Sequence, residues 1–133
     1  MSRILALDLG EKRVGVAVSD ETQVIATALD LIPTERLLPS LKVLLQDLQV
    51  EKILIGLPIS MDGREHAQAE RIRIQAAKLE SKLDVPFEFR DERLTSVQAL
   101  RFLQDFKVKG AKDKKDSLSA QIILQNYLDA KNV

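Results

Sequence analysis

Three acidic residues of this 133-residue sequence lie within or next to segments whose apolar pattern predicts a strand or a helix. Asp8 interrupts the apolar run Ile4–Leu9, Glu92 follows a short apolar segment, and Asp116 precedes the last segment with helical spacing. An unpaired carboxylate within an apolar run carries a large desolvation cost. We therefore expect Asp8 to have a compensating partner, either a cation or backbone donors, and buried acids of this kind cluster at functional sites.

Carboxylates brought together from distant segments could hold hard cations. Mg²⁺ and Mn²⁺ prefer oxygen ligands, and the chain has no cysteine for a thiolate site. Two such ions can activate water and stabilise the leaving oxygen in phosphodiester hydrolysis. Asp8, Glu92 and Asp116 are therefore the candidate catalytic and metal-binding residues, with Asp91 as the alternative to its neighbour Glu92.

Each of these residues also has a structural interpretation. Asp8 could cap backbone N–H groups, and Asp116 could be the N-cap of the last helix. Glu92 could form a surface ion pair with Arg90 or Arg93, an interaction that is common and weak. Because acidic residues are abundant in the chain, their spacing alone does not choose between the two interpretations.

The hydrophobic pattern predicts the elements that must position these residues. Apolar runs and alternation predict strands at Arg3–Leu9, Val14–Val18, Val24–Ile32, Lys52–Leu57 and Pro86–Arg90. Helical spacing predicts helices within Leu37–Leu48, Ile72–Leu83, Thr95–Phe106 and Ala120–Leu128. The chain is expected to form one α/β domain over residues 1–133, with helices flanking a mixed sheet.

The order of these elements predicts how the strands are arranged. Short turns make the first three strands an antiparallel meander, and helical crossovers make the first, fourth and fifth strands parallel. Parallel strands end at the same edge, where ligands of open α/β sheets bind. Asp8, the Gly56–Pro58 loop and Asp91–Arg93 are therefore expected to lie at one edge of the sheet.

Composition bounds the function only weakly. Twenty basic and twenty acidic residues cancel, so the sequence lacks the strongly basic footprint common in nucleic-acid-binding proteins. Its first apolar run is too short for a signal peptide or a membrane span, which predicts a cytoplasmic protein without a membrane partner. His66, the only histidine, is expected to be a surface residue.

One local excess of positive charge precedes Asp116. It consists of five lysines, Lys107, Lys109, Lys112, Lys114 and Lys115. Such a run is commonly a solvated loop. The alternative is that Lys112, Lys114 and Lys115 bind nucleic-acid phosphates.

Several motifs occur together in a fixed order along the chain. They are Asp8–Asp20, Gly56–Pro58 with Met61–Gly63, Asp91–Thr95, and Asp116 followed by Ile123–Asp129. Together they closely resemble the YqgF/RuvX family, and the match runs nearly end to end. The resemblance implies a ribonuclease H-like fold. That family was first described as Holliday junction resolvases and is now associated with maturation of the precursor of small-subunit (16S) ribosomal RNA.

The resemblance also implies roles for individual residues. Asp8, Glu92 and Asp116 would form the acidic site with Mg²⁺ or Mn²⁺, while Arg13 and Thr95 would lie near the phosphate backbone. One departure concerns the basic loop before the last acid, where this chain carries an additional acidic residue at position 113.

Three functions follow as hypotheses. The first is a metal-dependent endonuclease acting on structured nucleic acid, most directly the 16S ribosomal RNA precursor. The alternatives are a Holliday junction resolvase and a non-catalytic nucleic-acid-binding factor with partners in ribosome assembly. The choice between RNA and DNA, the sequence or junction specificity and the oligomeric state stay open at this point.

Overall fold

The computed structural model describes residues 2–59, 63, 66–91 and 117–132. The predicted helix within Thr95–Phe106 lies outside these residues. So do six of the candidate site residues: Glu92, Thr95, Lys112, Lys114, Lys115 and Asp116. None of the helices that the structure describes is both long enough and apolar enough to span a membrane.

The described residues form a mixed sheet of five strands. These are β1 (Arg3–Leu9), β2 (Arg13–Ser19), β3 (Ala26–Pro33), β4 (Val50–Leu57) and β5 (Phe87–Asp91). Their spatial order is β3-β2-β1-β4-β5. The first three strands are antiparallel neighbours, whereas β1, β4 and β5 run parallel. This arrangement confirms the predicted meander and the predicted parallel strands.

Helices cover both faces of this sheet. They are α1 (Leu37–Leu48), which follows a short 3-10 turn at Thr34–Arg36, α2 (Ala67–Glu80) and α3 (Leu118–Lys131). Residues of α1 and α2 share the larger apolar core with one face of the sheet. Residues of α3 share a second core with the opposite face. Here we call these the α1/α2 face and the α3 face.

Alternation along β1 explains why its apolar run is nearly continuous. Leu5, Leu7 and Leu9 pack on the α1/α2 face, and Ile4 and Ala6 pack on the α3 face. A central strand covered on both sides needs apolar residues at consecutive positions. The carboxylate at position 8 is the one departure within this run.

The third strand begins two residues later than predicted. Val24 and Ile25 donate their backbone N–H groups to Asp20 Oδ1 at 2.8 and 2.9 Å, so strand pairing begins at Ala26. These bonds, above all the one from Ile25, and the hydroxyl of Thr22 hold the pKa of Asp20 well below its usual range. The polar side chain therefore takes the donors that the apolar pattern assigned to a strand.

Other boundaries also differ from the prediction. The fourth strand starts at Val50 rather than at Lys52, and α2 ends at Glu80. Leu83 therefore lies beyond the helix, although it packs against the same core as the buried face of α2. Boundary shifts of this size are common, because helix ends fray and strand ends are set by pairing.

Candidate functional site

Asp8 lies near the carboxyl end of β1, the innermost strand of the meander. It is half-buried, between Leu7 and Leu9, which are 0% and 4% exposed. Because side chains alternate along a strand, Asp8 belongs to the α3 face, together with Ile4 and Ala6. The carboxylate is thus held by a rigid central strand at the edge of the second core.

The carboxyl ends of the parallel strands meet beside Asp8. In the register of β1 and β4, Leu7 pairs with Ile55, and in that of β4 and β5, Gly56 pairs with Arg90. The position of Asp8 is therefore level with Gly56 and Arg90. The predicted gathering of these segments at one edge is confirmed for the residues that the structure describes.

Asp91 lies at this same edge but on the other face of the sheet. It follows Phe87 and Phe89 in the alternation of β5, and both phenylalanines pack on the α1/α2 face. Arg90 belongs to the α3 face, where its guanidinium lies 5.3 Å from the ring centre of Tyr127. Asp8 and Asp91 are therefore on opposite faces.

The turn that joins β1 to β2 is held by a close backbone approach and by two hydrogen bonds. A Cβ at Gly10 would lie 2.3 Å from the carbonyl oxygen of Arg13, so the turn requires glycine there. Thr34 Oγ1 donates to the Gly10 carbonyl at 2.9 Å, and the Thr34 N–H donates to the Lys12 carbonyl at 2.9 Å. The segment immediately after Asp8 is thus fixed from the end of β3.

Two basic residues flank this turn. Arg13 is exposed at the start of β2 and alternates with Gly15, so it belongs to the face that carries Asp8. Arg71 of α2 pairs with Glu11 at 2.6 Å between Nη1 and Oε1, with both side chains largely exposed. The structure therefore places Arg13 on the same face and at the same edge of the sheet as Asp8.

The start of α3 is attached to β2 beside Asp8. Ser117 is fully buried, and its Oγ accepts the N–H of Val16 at 3.1 Å. Val16 adjoins Gly15, which is the cross-strand partner of Asp8. Ser117 stands at the N-cap position of α3 but makes no capping bond to that helix. The hydroxyl therefore connects the segment that follows Asp116 to the strand next to Asp8.

A second polar group lies further along the α3 face. Lys52 Nζ donates to the Tyr127 hydroxyl at 3.1 Å and lies 3.4 Å from Glu88 Oε1. The hydrogen bond to Tyr127 and the charge of Glu88 raise the pKa of Lys52. These contacts join β4 and β5 to α3, away from the carboxyl edge.

Among the described residues, no group of three or more His, Asp or Glu side chains is arranged to hold a metal ion. Of the three predicted ligands, Asp8 is the one within those residues. The sequence reasoning did not single out Ser117 or Thr34. A signal for Ser117 was available, since it is a hydroxyl residue directly between an acidic residue and an apolar helix.

The five-stranded mixed sheet with helices on both faces has the ribonuclease H-like fold. Along 98% of this chain and 96% of the other, the structure superimposes on RuvC of T. thermophilus, solved in complex with a Holliday junction substrate, with a TM-score of 0.65. The sequence identity is 14%, so this similarity concerns the fold. The predicted ribonuclease H-like fold is confirmed.

The chain belongs to the RuvX family. Residues 2–130 match the profile described as "RuvX: Holliday junction resolvase". A Chloroflexus aurantiacus protein named "Putative pre-16S rRNA nuclease" is 45% identical over 133 residues, covering 96% of this chain and 87% of that protein. A Dictyoglomus thermophilum protein of the same name is 40% identical and covers 98% of both chains. The predicted family and the prediction of a nuclease are therefore confirmed.

Proposed function

We propose that this chain is a metal-dependent endonuclease whose substrate is the precursor of 16S ribosomal RNA. The observation that carries the proposal is the placement of Asp8. This carboxylate is half-buried at the carboxyl edge of a rigid sheet, and the start of α3 is attached to the neighbouring strand by Ser117. Relatives at 40–45% identity bear the name of a nuclease for this precursor.

Asp8, Glu92 and Asp116 are the proposed ligands of Mg²⁺ or Mn²⁺. The half-buried carboxylate of Asp8 is an oxygen ligand of the kind that these hard cations prefer. Asp116 precedes Ser117 in the chain, and consecutive Cα atoms are about 3.8 Å apart, which supports Asp116 as a second ligand. The face of Asp91 is opposite to that of Asp8, and this supports Glu92 rather than Asp91 as the third.

The proposed chemistry divides between the ions and the protein. When bound, the ions supply the Lewis acidity that activates water and stabilises the leaving oxygen. Asp8 holds its carboxylate in place because β1 is hydrogen-bonded on both sides, to β2 and to β4. Arg13 binds a phosphate of the substrate on the same face, and Thr95 with Lys112, Lys114 and Lys115 extends this contact along the backbone.

The proposal extends to the setting of the reaction. The whole chain acts as one domain, because the family profile spans residues 2–130. A substrate that is a ribosomal RNA precursor places the protein in the cytoplasm, in contact with ribosome-assembly partners. The absence of cysteine is compatible with a reducing compartment.

A second candidate function is Holliday junction resolution. The description of the family profile names this activity. Phosphodiester hydrolysis at the same acidic site would serve both reactions, since the chemistry of the ions does not distinguish RNA from DNA. The two candidates therefore differ in the substrate that the protein surface accepts.

The test compares wild type with Asp8→Asn on labelled 16S precursor and on a four-way DNA junction, with Mn²⁺, with Mg²⁺ and with chelator. We expect metal-dependent cleavage of the precursor and a loss of at least about a hundredfold in Asp8→Asn. Asp84→Asn, at an exposed position before β5, is the matched control and should cleave like wild type.

Each other outcome points elsewhere. Cleavage of the junction alone would favour the resolvase. Metal-independent binding of RNA without cleavage, in a folded wild type, would replace the nuclease by a binding factor in ribosome assembly.

A further inference from the structure

We infer that Ser117 is a positioning residue of the metal site. Its hydroxyl sets the distance between the start of α3 and the strand beside Asp8. The inference rests on the proposed function, in which Asp8 and Asp116 are ligands. It adds a residue that makes no contact with the ion or the substrate, and that acts through the residue before it in the chain.

The hydrogen bond of Ser117 is unusual for its position. A serine at an N-cap normally accepts an N–H from its own helix. Here Ser117 has φ −87° and ψ −6° and makes no such bond, and its oxygen accepts the N–H of Val16 from a strand that lies 101 residues earlier. The side chain therefore does not cap its own helix but joins α3 to β2.

The sheet offers a reason for this bond. The pairing of β2 with β3 shifts its register between Val14 and Val16, and such irregularities disturb the regular ladder of backbone bonds. A buried N–H that loses its acceptor is costly. The Ser117 hydroxyl supplies the acceptor for Val16, so the irregularity in the sheet and the attachment of α3 occur at the same point.

This point is next to the proposed metal ligand. Gly15, the neighbour of Val16, is the cross-strand partner of Asp8, and directly opposed residues are about 4.5–5.5 Å apart. Asp116 is bonded to Ser117, so a small displacement of the start of α3 would change the separation between the proposed ligands Asp8 and Asp116. Metal ions such as Mg²⁺ are sensitive to this separation, because they demand near-ideal coordination geometry.

The chain contains a matched control for this bond. Ser19 is 1% exposed, and its Oγ accepts the N–H of Ile4 at 2.9 Å. It is therefore a second buried serine hydroxyl that accepts a strand N–H. Ser19 lies four residues along β2 from Gly15, a distance of about 13 Å at the rise of a strand. Removing either hydroxyl takes an acceptor from a backbone N–H group, but only Ser117 lies next to the proposed site.

The experiment measures thermal unfolding of the full chain against Mn²⁺ concentration for wild type, Ser117→Ala, Ser117→Thr, Ser19→Ala and Asp8→Asn. A ligand that binds only the native state stabilises it by RT ln(1 + [L]/Kd), so a fit of Tm against Mn²⁺ concentration gives the half-saturating concentration, Kd. We expect both alanine variants to unfold at lower temperature in chelator. We expect only Ser117→Ala to raise the half-saturating Mn²⁺ concentration, by about tenfold or more, and Ser117→Thr to restore it.

The outcomes separate this inference from the proposed function. If wild type responds to Mn²⁺ and Asp8→Asn does not, but Ser117→Ala keeps the half-saturation of wild type, Ser117 is structural and the inference is overturned alone. An equal shift in Ser19→Ala would overturn it in the same way. If wild type itself shows no response to Mn²⁺, the proposed metal site fails, and the role of Ser117 fails with it.

Discussion

Asp8 of β1 and Gly15 of β2 lie directly opposite each other in the antiparallel ladder, on the α3 face of the sheet. Side chains at opposed positions are neighbours, with Cβ atoms about 4.5–5.5 Å apart. Glycine brings no side chain to this place. The residue paired with Asp8 therefore contributes no side chain beside its carboxylate.

Filling this position should impair the metal site. Gly15→Val would put a branched side chain beside Asp8, and we expect it to lose the Mn²⁺-dependent rise in Tm and most of the cleavage. The control is Ala17→Val, two residues along the same face and fully buried. Both changes overpack the α3 face, at about 1–3 kcal/mol. Equal metal responses in the two variants would refute a specific role for Gly15.

The turn after Asp8 should be intolerant of any side chain at Gly10. Gly10→Ala places a Cβ 2.3 Å from the Arg13 carbonyl oxygen, so the backbone of the turn must move. We expect the free energy of unfolding to fall by about 1–3 kcal/mol, measured by urea denaturation. An unchanged midpoint would mean that the turn relaxes without cost.

The acidic pair at the end of β5 can be resolved by amide substitutions. Because Asp91 lies on the face opposite to Asp8, we expect Asp91→Asn to retain cleavage within about threefold of wild type, which is less than about 1 kcal/mol. Glu92→Gln should lose cleavage to the extent of Asp8→Asn. Cleavage assays at saturating Mn²⁺ compare the two directly, and the reverse result would make Asp91 the ligand.

The loop before β3 should make stability sensitive to acid. The folded pKa of Asp20 is depressed by hydrogen bonds from Ile25, Thr22 and Val24, relative to an ordinary value of 3.8. When the pKa of a carboxyl group is lower in the folded than in the unfolded state, its ionised form stabilises the fold. This stabilisation is fully present above the ordinary pKa and is lost as the pH falls from there towards the folded pKa.

Asp20→Asn should therefore make Tm depend less steeply on pH in the acidic range. We expect its Tm to be lower than that of wild type near neutral pH and the difference to shrink below the ordinary pKa of the aspartate. Thermal scans from neutral to acidic pH measure this, with Asp84→Asn as the exposed control. A constant difference across the series would exclude Asp20 as a source of acid sensitivity.

The lysine-rich segment can be tested by salt dependence. Replacing Lys112, Lys114 and Lys115 with glutamine should reduce the slope of log affinity against log salt by about 2, if each lysine neutralises one phosphate. The matched control replaces three exposed helix or turn lysines, Lys42, Lys78 and Lys82. Equal slopes in the two triple variants would return the segment to the solvated-loop interpretation.

The hydrophobic periodicity of the sequence predicted most of the fold, because burial of one or both faces of an element determines which positions are apolar. Asp8 could be placed at the end of a central strand because β1 is covered on both faces and therefore needs consecutive apolar residues. The later start of β3 was not predictable in the same way. There, the Asp20 carboxylate captures the N–H groups of Val24 and Ile25, an effect of geometry that hydropathy does not report.

The irregularity between β2 and β3 shows a similar limit. Val14 pairs with Ile32 but Val16 pairs with Leu29, so β3 contains one residue more than β2 over this interval. As a result Leu29 and Ile32, three residues apart, both pack against the larger core. Strict alternation would have put them on opposite faces, because a period of two assumes an unbroken ladder.

By itself, the sequence determined the class of fold, the family and the position of Asp8 within a buried strand, because these depend on hydrophobic period and on residue types in a fixed order. The tertiary structure decided which groups stand next to Asp8. Gly15 is seven residues away and Ser117 more than a hundred, and their proximity follows from strand register and from the packing of α3. The opposite faces of Asp8 and Asp91 also depend on register, since a shift of one residue exchanges the two faces of a strand.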